Sequence, residues 1–60
     1  MRLTKIAGEC KDDDCSTVFT TDKGTIAIQG YTVNRTTSEG EAVVEIPASV
    51  FLEAARALGD

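Results

Sequence analysis

Apolar and polar positions alternate along most of this 60-residue chain, and the period changes once, at its single proline. Leu3 and Ile6 around Thr4 predict a short first strand over residues 2–6, ended by Ala7-Gly8. Cys15 to Thr21, CSTVFTT, is rich in β-branched and aromatic residues and predicts a second strand. Asp22-Lys23-Gly24 is turn chemistry, so Thr25 to Val33, TIAIQGYTV, is expected to return as the hairpin partner.

Within that return strand Ile26 and Ile28 share one face, while Ala27 and Gln29 share the other. Tyr31 and Val33 fall out of phase with the isoleucines, and Gly30 sits at the change. Two readings follow. A bulge near Gly30 would return Tyr31 or Val33 to the core face, or the strand stops at Gln29. Asn34 to Gly40 has no apolar residue and predicts a loop. Glu41 to Ile46, EAVVEI, predicts a further strand with Ala42, Val44 and Ile46 on one face and Val43 on the other.

From Pro47 the spacing becomes helical. Proline suits the first helical turn, and Val50, Phe51, Ala54 and Leu58 follow on one face. A helix over 47–58 is expected, closed by Gly59. An apolar sheet face and an apolar helix stripe must cover one another. The expected fold is therefore α+β: one domain, residues 1–60, with a small antiparallel sheet of three to four strands packed by one C-terminal helix. Val50, Phe51 and Leu58 are expected beneath that contact.

Size sharpens this picture. A domain of this length is marginal without disulfides, metal or self-association. The only aromatics are Phe19, Tyr31 and Phe51, so the core must be aliphatic. Net charge is −4, and Arg2, Lys5, Lys11, Lys23, Arg35 and Arg56 are scattered, which disfavours direct nucleic-acid binding. The alternating N-terminal residues do not resemble an export signal, and no run is long and apolar enough to span a membrane. A cytoplasmic location is expected.

Candidate chemistry concentrates in ECKDDDCS, residues 9–16. Cys10 and Cys15 are spaced for one half of a zinc site, and two chains could supply four thiolates across a dimer axis. Glu9, Asp12, Asp13 and Asp14 disfavour the thiolates that a metal or a thiol catalyst needs, and the chain has no His to act as base. A Cys10–Cys15 disulfide is a second reading, because four intervening residues can fold back to bring the two Cβ atoms together. A plain polar turn with inward-leaning cysteines is the third. The threonines of the hairpin are expected to pair across strands. Tyr31 is a candidate contact residue, since Tyr is enriched at binding hot spots. No glycine-rich phosphate loop, carboxylate pair or Ser/His/Asp set is present, so no enzyme activity and no cofactor are expected.

The segments GECKDDDCSTVFTTDKGTIAIQGYTV and VVEIPASVFLEAARAL together resemble a type of very small actinobacterial protein. More distantly, a Cys before a strand, a hairpin and a Pro-started helix are similar to BldB-like proteins, which accompany helix-turn-helix regulators. The resemblance implies a dimeric partner of a transcription regulator with no chemistry of its own, and it assigns no site residue. The expected function is thus a small non-catalytic protein-interaction module, a homodimer or the partner of another protein. The alternative is a zinc-binding module using Cys10 and Cys15 across a dimer.

Overall fold

The computed structural model describes residues 1–8 and 15–59. Among the described residues five strands precede one helix: β1 Leu3–Gly8, β2 Thr17–Thr21, β3 Ile26–Gln29, β4 Tyr31–Val33, β5 Val43–Glu45 and α1 Ala48–Gly59. The fold is α+β, as expected. Its strands form two antiparallel sheets, a three-stranded one in the order β1-β2-β3 and a two-stranded ribbon of β4 and β5.

The irregularity of β1 lies at Ile6, between the pairs Lys5↔Phe19 and Ala7↔Val18. The extra residue carries the strand through to Gly8, two positions beyond its expected end, and sets Ala7 opposite Val18. Of the two readings for Gly30 the bulge is not there, and the strand end at Gln29 is. β4 belongs to the other sheet. The cause at Gly30 is space. A Cβ added there would fall 2.3 Å from the Glu45 carbonyl oxygen and 2.8 Å from Ile46 Cγ2. The chain passes so close to the β5–α1 junction that no side chain fits. Tyr31 is exposed by 55% and Val33 is half-buried. The phase of β5 also differs from expectation: Val43, opposite Val33, is half-buried, whereas Val44 is exposed.

The hairpin turn is organised by Thr21. Its hydroxyl lies 2.7 Å from that of Thr25 and accepts the Lys23 and Thr25 amides at 3.1 and 3.3 Å. Gly24 takes φ 80° and donates to the Thr21 carbonyl at 3.3 Å. The expected threonine pairing is therefore present at this point, and it closes the turn rather than stiffening the middle of the sheet.

The Pro47 carbonyl accepts from Val50 and Phe51 at 3.0 and 3.3 Å and starts α1. Gly59 is the last helical residue rather than a cap beyond the end. α1 packs mainly on β1 and to a lesser extent on β2. The buried hydrophobic cluster is Ala7, Val18 and Ala54, with Ile6, Ile46 and Val50 packed against it.

Candidate functional site

Register assigns the faces of the three-stranded sheet. Val18 pairs with Ile28 and Thr20 with Ile26, so these four share the face that α1 covers; Phe19 pairs with Ala27 on the other. The helix does not cover its face evenly. Val50 and Ala54, four residues apart, form the line that seats against the buried cluster. Phe51, Ala55 and Leu58 form the next line round the helix, and it overhangs β3.

The result corrects one expectation. Val50 is half-buried, but Phe51 and Leu58 remain 59% and 55% exposed. They are not sealed beneath the sheet contact. The physical reason is the choice of Ala54 as the contact residue, which seats the small side of the helix on β1 and leaves its large side chains beside the uncovered strand.

Between α1 and β3 lies an apolar groove of about 180 Å³. Buried Val18 and Ala54 form its floor. Ile26 and Ile28 form one wall, and Phe51, Ala55 and Leu58 the other. Neither wall carries a charged or hydroxyl side chain. Such a surface can hold an apolar ridge by excluding water, but it offers no group for proton transfer or nucleophilic attack.

Tyr31 and Cys15, singled out in the sequence, do not line this groove. Tyr31 lies on the ribbon, opposite Glu45, beside a separate hollow that it lines with Glu45, Ile46 and Pro47. A more open, polar hollow runs along Arg35–Ser38 and Glu41–Val43. Cys15 is half-buried just before β2, where its carbonyl accepts from the Thr17 hydroxyl at 2.6 Å. Cys10 lies outside the described residues, and with it both the disulfide and the metal reading. Among the described residues no group of three or more metal-ligating side chains occurs, and no helix is long and apolar enough to cross a membrane.

Sequence reasoning missed the groove as a site, although it named most of its parts. The sequence places Ile26 and Ile28 on one face, and Phe51 and Leu58 on one helix stripe. The available signal was the small residue Ala54 within that stripe, flanked by larger ones. Comparison with family models, with curated proteins and with solved structures finds no match.

Proposed function

We propose that this chain is a non-catalytic protein-interaction module whose recognition surface is the groove between α1 and β3. The observation that carries the reading is that four large aliphatic or aromatic side chains, Ile26, Ile28, Phe51 and Leu58, converge on one groove while each stays about half exposed. Solvated apolar surface gathered into one rimmed patch is characteristic of docking sites, whereas scattered exposed residues are not. A helix or strand presenting an apolar ridge is the complementary partner. The resemblance to partners of transcription regulators gives the finer form of the proposal: a regulatory partner acting in a bacterial cytoplasm.

The test is photo-crosslinking. A photoreactive phenylalanine analogue at position 51 or 58 is expected to yield a protein adduct in cells, and the same group at Lys23 in the hairpin turn is not. Equal labelling at all three positions, or none at 51 and 58, would sink the reading.

The acidic segment is assigned a supporting role, as a staple between Cys10 and Cys15. The support is the four-residue spacer and the position of Cys15 at the entrance to buried Ser16 and Thr17. Closing so short a loop stabilises by about 2 kcal/mol in the chain-entropy account. Alkylation of air-oxidised, unreduced protein should add no mass. Addition of two labels would refute the staple.

A further inference from the structure

We propose that the groove is the contact face of a two-fold symmetric dimer, occupied by α1 of a second copy of this chain. This rests on reading the groove as a protein-recognition surface, and it names the occupant.

Area is the first argument. A folded chain of 6.4 kDa exposes roughly 3,800 Å² by the usual size scaling, and this one exposes 4833 Å². The excess, about 1,000 Å² over the whole chain, is of the order of the ~800 Å² per partner that a standard interface buries. Shape agrees. The radius of gyration is 12.1 Å, where a chain of this length packs to roughly 10 Å. The molecule measures 34 × 30 × 19 Å, a slab with one short axis.

The second argument is the core. Among the described residues no large side chain is fully enclosed, and the buried hydrophobic ones are two alanines and one valine. So small a nucleus is poor for a domain already marginal by size. The groove residues complete it only when something covers them. A second copy carries the same uncovered apolar residues and so is a cover of matching chemistry.

The third argument is self-complementarity. The same face carries a ridge, Phe51 and Leu58, directly beside a trough floored by Val18 and walled by Ile26 and Ile28. A two-fold axis places each ridge in the other trough, which is what an isologous contact requires. Phe51 of each copy then meets Ile28 of the other. The lining holds no charge, so two chains of net charge −4 meet there without opposed carboxylates. Their remaining repulsion acts at longer range and is screened by salt.

Sedimentation and thermal melting of the full chain, over a hundredfold concentration range, test this. The expected result is a dimer whose Tm rises with concentration and whose dissociation constant falls with added salt. Phe51→Glu and Ile28→Lys should each weaken association at least tenfold. Leu52→Glu, at an equally exposed helix position outside the groove, should leave it unchanged. Mixing the Phe51→Glu and Ile28→Lys chains should restore a dimer, because one symmetry-related contact then pairs opposite charges and the other is native. A variant that unfolds alone and refolds in the mixture supports the proposal equally.

A wild-type monomer with a concentration-independent Tm overturns it. So does a dimer indifferent to both groove variants, or a mixture that stays monomeric. If such a monomer still crosslinks to a different protein through positions 51 and 58, the recognition reading stands and the second copy falls. If it crosslinks to nothing, both fall.

Discussion

One face of the three-stranded sheet meets α1 on two different terms. Over β1 and β2, Ala54 sits against Ala7 and Val18, and all three are buried. Over β3, Phe51 and Leu58 stand beside Ile26 and Ile28, and all four remain about half exposed. The half built from small side chains is closed, and the half built from large ones is open. Apolar content therefore does not decide which half is core. Closeness of approach does, because small side chains let two backbones near each other, and dense packing follows only where they are near.

The largest effect that could break this contrast lies at the closed half. Gly8 ends β1 at φ 100°, and a Cβ there would overlap the Ser16 carbonyl oxygen. Gly8→Ala should cost about 3 kcal/mol or more, combining a left-handed φ with a backbone clash. A chemical denaturation midpoint equal to that of the parent would show that the β1–β2 junction is not held as described.

A matched pair of neighbouring substitutions sharpens the contrast. Ala54→Leu pushes extra volume into the closed half and should destabilise by about 1–3 kcal/mol. Ala55→Leu adds the same volume to the open wall, and at dilute concentration it should stay within about 0.5 kcal/mol of the parent. Urea titrations that rank the two in reverse order would mean the helix is rotated from the position described. Phe51→Ala sits between these. A buried Phe would lose about 3–5 kcal/mol, but 59% exposure limits the expected loss in the dilute single chain to about 1 kcal/mol. A modest effect is expected at the turn, where Thr21→Val removes the hydroxyl that gathers Lys23 and Thr25. It should cost about 1 kcal/mol or less and leave both halves of the face alone. The comparison is of melting temperatures and of crosslinking at position 51, which should not change.

Much of this was legible in the sequence, for reasons specific to particular segments. The hairpin from Thr17 to Gln29 announced itself through β-branched alternation around Asp22-Lys23-Gly24, and the Pro47 start and apolar spacing of α1 were equally plain. The division of Thr25–Val33 between two sheets was not, because its cause is the Glu45 carbonyl, fifteen residues from Gly30. Local pattern carries no record of so distant a neighbour. The Ile6 irregularity was hidden for a similar reason, since only the partner strand defines what counts as an extra residue. For the site, the sequence named a helix stripe but not which line within it touches the sheet. Lines one residue apart on a helix differ by about 100°, and periodicity alone does not choose between them. The cysteine turn yielded three chemistries and no decision, because the spacing Cys10 to Cys15 suits all of them.

The close passage at Gly30 has a consequence for anyone redesigning the chain. Its φ lies outside the left-handed range, so a backbone survey would pass the residue over as replaceable. A library randomised at position 30 should nonetheless return glycine almost alone, since any β-carbon would prise the ribbon from the junction where the helix begins.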